Sequence, residues 1–203
     1  MKSKIILGLL TLFILGGCAV NKGTINSFVE PTYQTGAIKS VAVFSIRNAR
    51  FAPSEARTVN RKIIQALSKK NPGIKIVSPS EALRNINESD LAENWADFVE
   101  DYYTSGIANQ KILQKVSAVL GVDAVMQGQM LTVNQRDSAV GYSKAQSRVT
   151  MSFSIIETNT AKPIWEASAD GIKGSATTMS EAPPLIEAIN LAVNKVVENV
   201  PKL

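Results

Sequence analysis

The spacing of hydrophobic residues along the chain predicts a succession of strands and helices after residue 37. A nearly continuous apolar run at 38–46 is typical of a buried strand, and alternation at 147–157 is typical of a strand with one buried face. Apolar residues three and four positions apart predict the helices. The predicted strands are 38–46, 74–77, 124–133, 147–157 and 164–169. The predicted helices are 53–70, 89–103, 109–120 and 181–200, and one more helix is predicted to begin at 78.

This order, β-α-β-α-α-α-β-β-β-α, predicts a single α/β (α+β) domain over 38–203. Its sheet is expected to be mixed, with a β-α-β start, carboxy-terminal β-hairpins and helices covering at least one face. The preceding segment, 18–37, is polar and rich in turn-forming residues, and it shows no hydrophobic period. We therefore expect it to be a short tether in front of the domain.

The amino terminus has the layout of a secretory signal peptide. Lys2 and Lys4 form a basic start, an apolar run follows at 5–15, and two small residues stand at 16–17. The apolar run is shorter than the roughly 20 residues that a membrane-spanning helix needs. The sequence therefore predicts that residues 1–17 are a signal peptide.

The only cysteine of the chain comes directly after this segment. The motif Leu15-Gly16-Gly17-Cys18 resembles the lipobox of bacterial lipoproteins, in which the cysteine is lipidated and becomes the first residue of the mature protein. The resemblance implies a stable anchor, because more than one acyl chain holds a protein firmly to a membrane. Ala19, where an aspartate would favour the inner membrane, implies the outer membrane and a domain facing the periplasm. The alternative is a free structural cysteine.

Composition excludes several kinds of chemistry. The 203 residues contain no histidine and one cysteine, so a Cys/His zinc site, an internal disulfide and a Ser-His or Cys-His nucleophile pair are all excluded. The net charge of +5, which falls to about +3 once Lys2 and Lys4 leave with the signal peptide, is too mild to predict a nucleic-acid partner. We expect no cofactor, no metal ion and no catalytic residue, and hence a protein that is not an enzyme.

One row of carboxylates is a candidate for catalysis. Five acidic residues lie between 90 and 101 on the predicted helix 89–103, and paired carboxylates cleave glycosidic bonds when one of them has a raised pKa. This makes a cell-wall glycan hydrolase an alternative function. The same residues fall opposite the apolar stripe of an amphipathic helix, which favours an ordinary solvated face. The row consists of Asp90, Glu93, Asp97, Glu100 and Asp101.

Charge is unevenly distributed between two neighbouring segments. Residues 47–75, the basic segment, hold eight basic residues against one acid, and residues 81–101, the acidic segment, hold seven acids against one arginine. Patches of opposite sign can steer a partner or mediate self-association. The alternative is a pair of solvated helix faces, which could face each other within one subunit. The candidate partner-binding residues are Arg57, Arg61, Lys62, Asp97 and Glu100.

Three short stretches resemble a known superfamily. VAVFSIRN at 41–48 resembles a "VAVLPF-x-N" first strand, LGVDAVMQG at 120–128 an "LGADAVLxG" helix-to-strand passage, and TNTAKPIW at 158–165 a "D-x-x-TG-x-x-W" hairpin. They are similar to those of bacterial periplasmic proteins that include the curli-secretion lipoprotein, the penicillin-binding-protein activator lipoproteins and the amino-terminal domain of TolB. The resemblance covers about residues 38–170.

Departures from the superfamily pattern concern turns and insertions. Glu157 replaces the usual aspartate, and Ala161 stands where the turn glycine is expected. The loop at 134–145 is too short to supply membrane-spanning strands of about 9–11 residues each, which argues against a pore. Without the family, Asp123 is expected to shape a turn and Trp165 to lie in the core.

These observations predict an accessory or regulatory protein-binding module of the cell envelope. It is expected to be non-catalytic and anchored to the membrane through a lipid on Cys18. Its partner would be an unidentified envelope protein. The alternative is a homo-oligomeric component of a secretion or transport assembly.

Overall fold

The computed structural model describes residues 20–47, 52–138, 144–176 and 180–203. Eleven elements follow one another in this part of the chain. Their bounds are β1 Asn21–Val29, β2 Ser40–Val43, α1 Pro53–Lys70, β3 Lys75–Val77, α2 Pro79–Glu88, α3 Ala92–Ser105, α4 Gln110–Leu120, β4 Ala124–Arg136, β5 Gln146–Glu157, β6 Pro163–Gly174 and α5 Leu185–Asn199.

The strands form one mixed sheet in the order β1-β6-β5-β4-β2-β3. β2 pairs in parallel with β3 and β4, because the connections between them pass through helices. β4, β5 and β6 are antiparallel neighbours, and β1 is antiparallel to β6. The predicted fold class is confirmed: an α/β domain with a mixed sheet, a β-α-β unit and carboxy-terminal hairpins.

Helices pack on both faces of the sheet, and each face has its own hydrophobic core. On the first face, α1 and α5 cover the buried side of the hairpin strands, including Val149, Met151 and Ile155. On the second face, α2, α3 and α4 cover β2, β3 and the adjoining ends of β4 and β5. The rest of the second face, toward β1, is bordered by the end of α3.

Local chemistry explains where the helices begin and end. Ser78 and Asn109 cap α2 and α4, because their side-chain oxygens accept hydrogen bonds from the backbone amides of Glu81 and Ile112 at 3.4 and 3.3 Å. α3 and α4 end at glycines in the left-handed conformation, which a residue without a Cβ adopts readily. The periodicity of the sequence and these end signals agree.

The prediction that residues 18–37 form a tether is wrong for residues 21–29. Asn21–Val29 is strand β1, paired with β6 from Asn21↔Lys173 to Val29↔Trp165. This segment shows no hydrophobic period because β1 lies at the edge of the sheet and its side chains are largely exposed. Gly23 brings it close to α5, since a Cβ at Gly23 would lie only 2.6 Å from the Leu191 carbonyl oxygen. β1 is therefore part of the domain.

Other differences from the sequence prediction concern lengths. β6 extends to Gly174, five residues beyond the predicted end, because its additional residues pair with both β1 and β5. β4 continues to Arg136, and α5 begins only at Leu185, after Pro184. No helix among the described residues is both long enough and apolar enough to span a membrane.

The turn residues noted in the sequence have structural roles. The Asp123 carboxylate accepts hydrogen bonds from the Lys39 amide and the Ser40 hydroxyl, both at 2.8 Å, and so ties β2 to the start of β4. Trp165 is fully buried, as expected. Ala161 has a φ of 58°, the left-handed conformation for which glycine is favoured.

Candidate functional site

The half of the second sheet face that lies toward β1 carries mostly polar side chains. Side chains alternate between faces along a strand, so the in-register pairing places two rows of residues across four strands on this side. Amide, hydroxyl and carboxylate groups supply most of both rows. From β4 to β1, the first row is Gln127, Ser154, Glu166 and Phe28, and the second is Gln129, Ser152, Ser168 and Asn26.

These rows form the floor of a cleft of about 400 Å³. The end of α3 forms its wall with Tyr102, Tyr103 and Gly106. Clefts of this size accommodate small ligands or part of a larger one, and they bind through a few well-placed polar groups. The cleft is therefore the candidate binding site of the domain.

Gln127 is the most informative residue of the cleft. Its side chain is 2% exposed, yet neither its amide oxygen nor its amide nitrogen has a hydrogen-bond partner in the protein. A buried polar group left unpaired costs about 1–3 kcal/mol of stability. Because Gln127 lines the cleft, a ligand that paired with its amide would remove this cost.

A stack of aromatic rings holds the cleft wall in place. Consecutive ring centroids lie 4.0 Å apart from Phe44 to Trp95, 5.0 Å from Trp95 to Phe98 and 6.0 Å from Phe98 to Tyr102. Trp95, Phe98 and Tyr102 are buried, which confirms the predicted apolar stripe of this helix. The stack fixes the position of Tyr102 at the cleft because it ends on Phe44, the residue directly after β2.

The electrostatics of the cleft are set by one carboxylate and two tyrosines. Burial raises the pKa of Tyr102, a hydrogen bond with Ser154 opposes the rise, and the charge of Glu166 adds to it. Burial and the neighbouring Tyr102 also raise the pKa of Tyr103, and the nearby Arg47 opposes that rise. The Arg47 guanidinium carbon lies 5.7 Å from the centre of the Tyr103 ring, a cation–π contact. Both tyrosines therefore present neutral hydroxyls.

The structure places the charged candidate residues apart. Arg57 and Arg61 are exposed on α1, whereas Lys62 is half-buried and donates a hydrogen bond at 2.8 Å to the Asn190 side chain of α5. Asp97 and Glu100 are exposed on α3. Because α1 and α3 cover opposite faces of the sheet, the alternative that the two segments face each other within one subunit is wrong.

The remaining sequence predictions have different outcomes. Leu15, Gly16, Gly17 and Cys18 lie outside the described residues, so the lipidation motif stays a prediction. The five carboxylates between 90 and 101 are all exposed, as a solvated helix face requires. In the described parts of the chain, no group of three potential metal-ligating side chains is close enough together to hold an ion.

The sequence alone does not predict the cleft. Ser152 and Ser154 occupy the polar face of the alternating strand β5, and Gln127 is a polar residue within the apolar start of β4. The polar residue within a buried strand was the one available signal. Nothing local to these segments indicates that they meet, because the pairing joins strands far apart in the chain.

Neither a protein-family model nor a curated protein matches the sequence.

Several solved structures are similar in fold. The PelC dodecamer from Paraburkholderia phytofirmans is 15% identical, covering 87% of this chain and 96% of that one, with a TM-score of 0.48. Lipoprotein GNA1162 from Neisseria meningitidis is 16% identical over 79% of this chain and 98% of its own, with a TM-score of 0.44. The LpoB C-terminal domain from Salmonella enterica is 13% identical over 69% of this chain and 85% of its own, with a TM-score of 0.42. Similarities of this degree assign no family, activity or partner to this chain.

Proposed function

We propose that this protein is a non-catalytic lipoprotein of the bacterial outer membrane that faces the periplasm and binds another envelope protein through the cleft. The observation that carries the binding role is the buried, unpaired amide of Gln127 at the cleft floor. The lipobox-like motif ending at Cys18 supports the anchor. The absence of histidine and of a second cysteine from the sequence supports a binding role over catalysis.

The short distance between anchor and sheet limits where the domain can act. The Val20 carbonyl already accepts a hydrogen bond from the Gly174 amide at 2.7 Å, directly before β1. Two residue steps separate Cys18 from Val20, a reach of at most about 7 Å. A lipid on Cys18 therefore holds the Asn21 end of β1 against the membrane, and a partner must come to the outer-membrane surface.

Acylation and location are tested by three variants of the full chain expressed in a Gram-negative host. Wild type is expected to incorporate a palmitate analogue and to fractionate with the outer membrane. Cys18→Ser should lose the label, whereas the matched control Ala19→Ser should keep it. Ala19→Asp should keep the label and move to the inner membrane. Label retained by Cys18→Ser would contradict the anchor.

Binding is tested in intact cells by crosslinking. An envelope protein should be recovered with wild type and lost with Gln127→Met, while the exposed variant Glu93→Gln keeps it. Recovery of only the protein itself and lipid would contradict the binding role.

A homo-oligomeric component of an envelope assembly is the second candidate. β1 is an edge strand of the sheet, and unpaired edges are templates for pairing with another chain. Large apolar side chains are exposed along it, with Phe28 49% and Val29 47% exposed. The mass of the detergent-solubilised protein decides this: a ring has many times the monomer mass, and a mass of one subunit contradicts assembly.

A further inference from the structure

We propose that the cleft binds an extended polypeptide segment that presents a lysine or arginine side chain to Glu166. This inference rests on the proposed function, and it specifies the chemistry by which the partner is recognised. It follows from the charge of the cleft, from the unpaired amide of Gln127 and from the spacing between these two residues.

The charge of the cleft favours a cation. Among the lining residues that the structure describes, Glu166 is the only Asp or Glu, and none is a Lys or Arg. Glu166 is exposed, and its carboxylate forms no ion pair among the described residues, although it hydrogen-bonds with Tyr102 on the cleft wall. Arg47, a positive group that contacts the wall, lies over the ring of Tyr103. A ligand ammonium or guanidinium would complete the charge pairing with Glu166.

The polar group at the floor favours a peptide. A glutamine amide offers an acceptor oxygen and donor hydrogens side by side, which match the N–H and C=O groups of a polypeptide backbone. Neither the amide oxygen nor the amide nitrogen of Gln127 has a hydrogen-bond partner in the protein. A neutral sugar could use the same amide, but it would leave the Glu166 carboxylate without a cation.

The spacing connects the two contacts. Gln127 pairs with Ser154 and Ser154 with Glu166, so the two residues stand two strands apart, about 10 Å between backbones. A peptide unit bound at Gln127 can extend a lysine stem of four methylenes toward Glu166. The stem would pass the Tyr102 ring, because long basic side chains lay their apolar stems along such surfaces.

The binding experiment uses the full-length mature lipoprotein in lipid nanodiscs. The probes are acetyl-Ser-Gly-Lys-Gly-Ser-amide, the same peptide with norleucine in place of lysine, and chitobiose. Backbone NMR shifts of residues lining the cleft measure binding. The lysine peptide should bind about tenfold more tightly than the norleucine peptide, because norleucine cannot form the charge-assisted contact with Glu166.

Two variants and a control separate the contacts. Glu166→Gln should bind both peptides equally, whereas Glu93→Gln, an exposed carboxylate outside the cleft, should leave the tenfold difference intact. Gln127→Met should weaken both peptides about equally and preserve the difference between them. It removes an unpaired polar group, so it is expected to fold.

Three results would overturn the inference. One is equal binding of the lysine and norleucine peptides by wild type. Another is perturbation of the cleft by chitobiose and not by either peptide, which would make it a saccharide site. The third is no perturbation by any probe. All three are compatible with normal acylation and with crosslinking to an envelope protein, so they are distinguishable from failure of the proposed function.

Discussion

Adding one methyl group at Gly171 tests the contact that fixes α5 on the sheet. A Cβ at this position would lie 1.9 Å from the Ala188 carbonyl oxygen and 2.8 Å from the Ala192 amide nitrogen. Both are backbone atoms of α5, so no side-chain rotation relieves the overlap. Restoring an ordinary contact of 3.4 Å requires a shift of about 1.5 Å between helix and strand.

Such a shift disturbs the core beneath α5. Five residues of this helix are buried, and a gap of this size forfeits much of their packing energy. Overpacking costs about 1–3 kcal/mol, and here the backbone cannot yield, so we expect Gly171→Ala to lower the free energy of unfolding by at least about 3 kcal/mol. The melting temperature should fall by about 6–12 °C.

Urea unfolding of the mature protein, followed by circular dichroism, measures this effect. Gly73→Ala is the matched control, because Gly73 has open space around it but a φ of +85°, so only conformational strain of about 1–2 kcal/mol is expected. Gly23→Ala should cost about 1–3 kcal/mol, because its Cβ meets the Leu191 carbonyl. If Gly171→Ala is no worse than Gly73→Ala, the close approach of α5 is refuted. If Gly23→Ala has no effect, β1 behaves as a tether.

Three further predictions concern single side chains. Gln127→Met should raise the free energy of unfolding by about 1–3 kcal/mol in urea titrations, because the buried amide is unpaired, and a loss of stability would contradict that geometry. Ala161→Gly should raise the free energy of unfolding by about 1 kcal/mol, because glycine adopts the positive φ of this position without strain. The control Ala118→Gly should lower it by about as much, because glycine is unfavourable inside helix α4. If both variants change stability in the same direction, the positive φ at Ala161 is contradicted. Burial raises the pKa of Tyr103 in the folded state, so the stability that this tyrosine contributes is complete below the unfolded pKa of 10.0 and declines as pH rises above that value. Tyr103→Phe should therefore flatten the decline of unfolding free energy with pH above about pH 10. An unchanged slope would contradict the raised pKa.

The sequence determined most of the secondary structure. Helix caps at Ser78 and Asn109, the glycine ends of α3 and α4 and the alternation of β5 are local signals, and the structure has each of them. These features are readable because each depends on residues within a few positions of one another. The fold class followed from their order along the chain.

Only the tertiary structure decided what the polar residues do. β1 is a strand because it pairs with β6, whose partner residues lie about 140 positions away, and an exposed edge strand leaves no hydrophobic period. The cleft joins α3 with four strands, so neither Gln127 nor Glu166 is marked by its neighbours in sequence. The sheet itself separates the basic helix α1 from the acidic helix α3. Local spacing records which side of an element is buried, and long-range pairing decides which elements meet.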